Sequence, residues 1–192
     1  GNALDTNNNF VQGDYSETGA TGGLKGNGSS KYLATGLQSD ALPVPAVGHL
    51  SAWARDQTTG RSGWLSSFGA SFTNQTQVEY NQTDGNTFLG WGREQTISTT
   101  PGTVSHLLVS RGSSTDQRAY HDGSLAGTTT VSTSMSGNSA TLTVLARNLD
   151  GSVQAYSDAR INAYSIGDNM SGTQVTAFYN ALNTFLTTLG ST

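Results

Sequence analysis

The residues best suited to chemistry stand at Gly90-Trp91-Gly92-Arg93-Glu94, where an indole lies between two residues without side chains and charged groups follow directly. Flat aromatic faces meet the C–H surface of a sugar, while Arg, Asn, Gln and Asp hydrogen-bond its hydroxyls. In one continuous strand Trp91 and Arg93 share parity and point to the same side, so both act on one ligand. The same run also fits a core strand in which Leu89 and Trp91 face inward and the glycines mark a bulge. Trp64 with Arg61 is a second grouping of this kind. Trp91, Arg93, Trp64 and Arg61 are therefore the candidate ligand-binding residues, with both readings open for the tryptophans.

Catalytic constellations are missing at the level of pattern. Glycoside hydrolysis needs two carboxylates flanking one bond, and the three glutamates, Glu17, Glu79 and Glu94, stand far apart in sequence. Glu79 and Glu94 could serve only by meeting across neighbouring strands. No G-x-S-x-G elbow presents a serine nucleophile. His49, His106 and His121 are dispersed, without His-x-x-x-His spacing, and read as strand residues held in place. Asp56, Asp84, Asp116, Asp158 and Asp168 fall in or beside loops, where aspartate makes turns. The expectation is a protein that binds rather than cleaves.

Composition narrows the partners. Charged residues make up 11% of the 192 residues, against about 25% in an average protein. Lys25 and Lys31 are the only lysines and the net charge is -4, so no basic stripe exists to neutralise phosphates. Nucleic acid is excluded as a partner on that ground. No apolar run approaches the ~20 residues that span a bilayer as a helix. There is no cysteine, hence no disulfide framework and no thiolate metal site.

The elements that must position these residues are short strands. His49 to Arg55 alternates, with Leu50, Ala52 and Ala54 on one face and His49, Ser51, Trp53 and Arg55 on the other; Trp53 reads as packing. Leu42-Pro43-Val44-Pro45 breaks the chain before it. Arg61 to Phe72 reads as a strand pair or one bent strand. Further strand signals come at Thr76 to Tyr80, Thr87 to Trp91, Val104 to Arg111, Arg118 to His121, Leu125 to Val131, Ala140 to Arg147 and Val153 to Ile166. Asp84-Gly85, Asp122-Gly123 and Asp150-Gly151 are hairpin turns, because a two-residue type I′ turn needs positive φ that Asp tolerates and Gly adopts freely. One segment departs from this pattern. Val175, Phe178, Leu182, Phe185 and Leu189 recur at helical steps, Ser171 and Gln174 form a capping box, and Gly190 marks the stop. The spacing predicts a helix over 171–189 that buries Phe178, Leu182 and Phe185. Residues 1–22 read as an arm or linker, and 23–192 as one domain.

The hairpin Arg118 to Gly127, the glycine turns and strand of Gly23 to Leu33, the His49 to Arg55 strand, Ser105-His106-Leu107-Leu108-Val109, and the closing Tyr164-Ser165-Ile166-Gly167 with Met170 to Val175 and Phe178 to Leu182 stand in sequence order. In that order the chain resembles the concanavalin A-like lectin/glucanase superfamily, in the laminin-G-like form of bacterial and phage structural proteins. The resemblance implies an all-β fold, an antiparallel jelly-roll β-sandwich with one C-terminal helix. It implies a non-catalytic carbohydrate-binding module on an extracellular or virion-associated protein, with glycans as partners and a homo-oligomer or larger cell-surface or virion protein as its setting. It also implies calcium, which relatives hold through loop oxygens, as an open structural cofactor. The alternative is a decoration or fibre domain that makes protein contacts without a sugar site.

Overall fold

The structure is a computed structural model that describes residues 6–17, 19, 22–41, 47–58, 60–70, 74–98, 104–130 and 139–190. The Leu42-Pro43-Val44-Pro45 break, Phe72 and Val131 lie outside the described residues. Two antiparallel sheets stack face to face, and one helix follows the last strand. One sheet runs, in spatial order, through β1 (Thr6–Asn8), β4 (Tyr32–Gln38), β13 (Thr141–Val144), β6 (Arg61–Phe68), β7 (Gln75–Asn81), β8 (Asn86–Gly92) and β9 (Glu94–Ser98). Beside β6 lies β14 (Arg147–Leu149), the one parallel neighbour among the described strands, with β15 (Ser152–Gln154) beyond it. The other sheet runs through β12 (Ser124–Thr129), β11 (Asp116–His121), β10 (Val104–Ser113), β5 (Gly48–Arg55), β16 (Arg160–Gly167), β3 (Gly23–Lys25) and β2 (Tyr15–Ser16).

The turns form where aspartate and glycine permit them. Asp122 and Gly123 take φ of 47° and 74°, and Asp150 and Gly151 take 48° and 90°, the left-handed pairs that a type I′ connection needs. The residues of 1–22 expected as an arm are woven in: β1 pairs with β4, β2 pairs with β3, and Phe10 enters the core. Ala140 to Arg147 divides into β13 and β14, because Leu145 (φ 66°) turns the chain between them.

Alternation sorts the side chains of each sheet. Leu65, Val78, Leu89 and Trp91 from one sheet meet Leu50, Ala52, Leu107, Val109 and Ala119 from the other, which makes the inter-sheet core. On β5 all eight residues are buried, so both of its faces are covered. The second cover is α1 (Gly172–Thr188), whose N-cap Ser171 and Gln174 form the reciprocal box. Beneath α1, Leu108, Tyr120 and Val175 make a small separate cluster with Met170 and Phe178 packed on it. The helix buries Val175 and Leu186, whereas Phe178 and Leu182 are only half-buried and Phe185 is 58% exposed. The expected burial of Phe185 is thus corrected. At about 100° per residue, Leu186 lies about 20° from Val175 around the helix and Phe185 about 80° from it, so a stripe spaced 3-4-3 drifts off the docked face. No described helix is long and apolar enough to cross a membrane.

Candidate functional site

The helix-bearing sheet has its outward face sealed by α1, while no described helix covers the outward face of the other sheet. Register determines which side chains populate that outward face. Val78 and Leu89 point into the core, so Gln77 and Glu79 on β7, and Phe88 and Gly90 on β8, point outward. Glu94 pairs with Gly90 across β9, and its side chain reaches Gln77 over the residue that carries none. Arg61 lies at the start of β6 and Arg147 at the start of β14, opposite Ser66.

These residues form one ion-pair network. Glu79 is fully buried, and its Oε1 accepts from Arg147 Nε (2.8 Å) while its Oε2 accepts from Arg147 Nη2 (2.5 Å) and Arg61 Nε (2.9 Å). Arg61 continues to Glu94, donating from Nη2 to Oε2 at 2.7 Å, and Gln77 Nε2 donates to the same oxygen at 2.9 Å. The Arg61 guanidinium lies 3.5 Å from the centre of the Phe88 ring, and that of Arg147 lies 5.0 Å from the Phe68 ring. Burial works against the Arg61 cation, but the charges and hydrogen bonds of Glu79 and Glu94 outweigh it and hold its pKa above the ordinary value. The side chains of Arg61 and Glu94 stay 33% and 30% accessible, so the network opens to solvent at that end. Gln77 Oε1 is buried and has no hydrogen-bond partner among the described residues.

Of the four residues expected to bind ligand, only Arg61 belongs to this network. Trp91 is 0% exposed, in the inter-sheet core, and its ring fills the space where a side chain on Gly48 would stand. It offers no face to a sugar. The glycines around it serve the backbone: a Cβ on Gly90 would meet the Arg93 carbonyl oxygen at 2.6 Å, and Gly92 takes φ 83° to turn β8 into β9. That turn ends the strand before Arg93, so parity does not carry across it; Arg93 is exposed in the connection, and its carbonyl accepts from Gln117. Trp64 also lies in the core, donating from Nε1 to Gln57 and tilted against Tyr80. A bulge between Gly63 and Leu65 shifts register there and sets Trp64 apart from the outward Arg61.

Glu79 and Glu94 do converge, but on a shared arginine. Gln77, Phe88 and Arg147 were not foreseen at the site. The alternation of Gln77 and Glu79 with Val78 was the available signal; nothing in sequence shows that β14 would lie parallel to β6. Trp53 packs as expected, though against the helix: its ring stacks on Tyr179 with centroids 5.5 Å apart and planes 5° off parallel. His49 bonds to the Asp168 carbonyl and Ser165, and burial, the main cause, pulls its pKa down. Asp84 and Asp158 bind local or facing backbone N–H groups, and Asp116 pairs with Arg118. Among the described residues no three histidine or carboxylate side chains gather to hold a metal.

Two antiparallel sheets stacked face to face, with a single helix against one of them among the described residues, define a jelly-roll β-sandwich. Solved structures share it. NanB sialidase from Streptococcus pneumoniae, in a variant form, superposes with a TM-score of 0.64 at 16% identity over 81% of this chain and 27% of the enzyme. The chain thus spans about a quarter of that sialidase. HCR/D, also in a variant form, gives a TM-score of 0.66 at 11% identity, covering 93% of this chain and 47% of that one. The CBM40 of the Ruminococcus gnavus IT-sialidase gives 0.57 at 10% identity over 70% and 83%, and it is also solved bound to α2,3 sialyllactose. At these identities the likeness is one of fold. No family model matches the sequence, and no curated protein does.

Proposed function

We propose that this chain, its first strands included, is a non-catalytic carbohydrate-binding module of the concanavalin A-like, laminin-G-like kind, carried by an extracellular or virion-associated protein. What carries the reading is the accessible end of the ion-pair network, where Arg61 lies over Phe88 beside Glu94. Convergent donors and acceptors next to an aromatic ring complement a sugar's hydroxyls and its C–H surface. The CBM40 likeness supports it, since that module shares the fold and is seen with a sialylated sugar. Glycosidic cleavage needs one carboxyl group to carry a proton and the other to be ionised. Here Glu79 is fully buried with both oxygens held by Arg147 and Arg61, so it faces no glycosidic bond in either role.

A glycan array probed with the protein is expected to give discrete oligosaccharide hits. Arg61→Gln is expected to weaken the best hit at least tenfold, with an unchanged far-ultraviolet circular dichroism spectrum. An array without hits points instead to a module that makes protein contacts alone, and a hit untouched by Arg61→Gln moves the site elsewhere.

A further inference from the structure

Resting on the carbohydrate reading, we infer that this face selects neutral sugars bearing adjacent hydroxyls and discriminates against acidic ones. A ligand carboxylate is normally recognised by the paired N–H groups along one edge of an arginine. Both arginines of the face have spent that edge inside the protein. Arg147 gives Nε and Nη2 to the two oxygens of Glu79, and Arg61 gives Nε to Glu79 and Nη2 to Glu94. Two cations are matched by two carboxylates, so the network carries no net positive charge to attract an anion. An incoming carboxylate would also stand beside Glu94, whose accessible group repels it.

What the network leaves open is a donor beside an acceptor. Arg61 Nη1 and Glu94 Oε1 make no hydrogen bond to a described residue, and both belong to the accessible end. The Gln77 amide donates from Nε2 to Glu94 and Gln75 and, being fully buried, holds Glu94 in place without meeting a ligand itself. A carboxylate only accepts, so it cannot satisfy Glu94. A hydroxyl both donates and accepts. Two neighbouring hydroxyls on a hexose ring can therefore engage the pair together, one donating to Glu94 Oε1 and the next accepting from Arg61 Nη1.

The test is a matched-pair titration: neutral oligosaccharides from an array against the same chains carrying terminal sialic acid or a uronic acid, measured by calorimetry. The wild type is expected to bind the neutral member at least tenfold more tightly. Glu94→Gln removes the repelling charge and releases Arg61 Nη2, so it is expected to narrow or reverse that preference. Glu94 is part-exposed, and a thermal melt matching the wild type confirms that the variant folds. Wild-type binding of the acidic member equal to or tighter than the neutral one overturns the inference while leaving the carbohydrate reading intact. Binding of neither member at millimolar concentration overturns both.

Discussion

At His106 the ring is wholly buried among Trp53, Phe178 and Tyr179, and neither Nδ1 nor Nε2 meets a hydrogen-bond partner among the described residues. Burial, with smaller contributions from the charges of His121 and His49, pulls its pKa down from 6.5 to about 4. A proton therefore binds the unfolded chain more tightly than the folded one. The neutral ring's contribution is intact above pH 6.5 and is lost as pH falls from there towards 4, a loss of about 3 kcal/mol in all. His106→Phe is expected to flatten this part of the stability–pH curve, read from urea midpoints at pH 7.5 and 4.5. An equal slope in wild type and variant would place the proton elsewhere. The residue scale is also where the sequence was hardest to read. Glycines beside Trp91 look like clearance for a ligand, yet the clearance at Gly90 is taken by the Arg93 carbonyl, and parity from Trp91 to Arg93 ends at a turn that only the backbone reveals. Asp122-Gly123 was legible because its φ values follow from residue type alone.

Among the elements, α1 was legible in extent, since its cap and its periodicity are local. Its docked face was not, because the hydrophobic stripe departs slowly from the helical period and selects Phe185 where the fold buries Leu186. The two residues should behave oppositely. Leu186→Ala is expected to cost about 2–5 kcal/mol in chemical denaturation, and Phe185→Ala to change stability by less than about 0.5 kcal/mol, as for an exposed site. Equal losses would mean that the helix is rotated about its axis from the orientation described. β14 shows the other limit of local reading: a three-residue strand supplies Arg147 to the site through a parallel pairing with β6, and partner choice between distant strands leaves no mark on short-range pattern.

On the scale of the molecule, the three tryptophans report on two different layers. Trp64 and Trp91 lie between the sheets, and Trp53 lies between a sheet and the helix, stacked on Tyr179 and beside His106. Protonating His106, which lies against Trp53 and Tyr179, is expected to act on the second layer before the first. In 5-fluorotryptophan-labelled protein, the fluorine resonance lost in Trp53→Phe is expected to broaden or shift first as pH falls from 6.5 to 4.5. Simultaneous movement of all three resonances would show that the layers unfold as one. The borders of the sandwich carry a different consequence. On one side the sheets end in β1 and β2, of three and two residues; on the other, the longer β9 and β12 lie against each other, with Gly127 close to Gln95 and Ile97. Along β1 and β2 themselves, as far as they are described, a strand from another molecule finds two or three consecutive residues to pair with. Neither β1 nor β2, over its described length, is therefore a rail long enough to start templated addition of copies into a cross-β fibril.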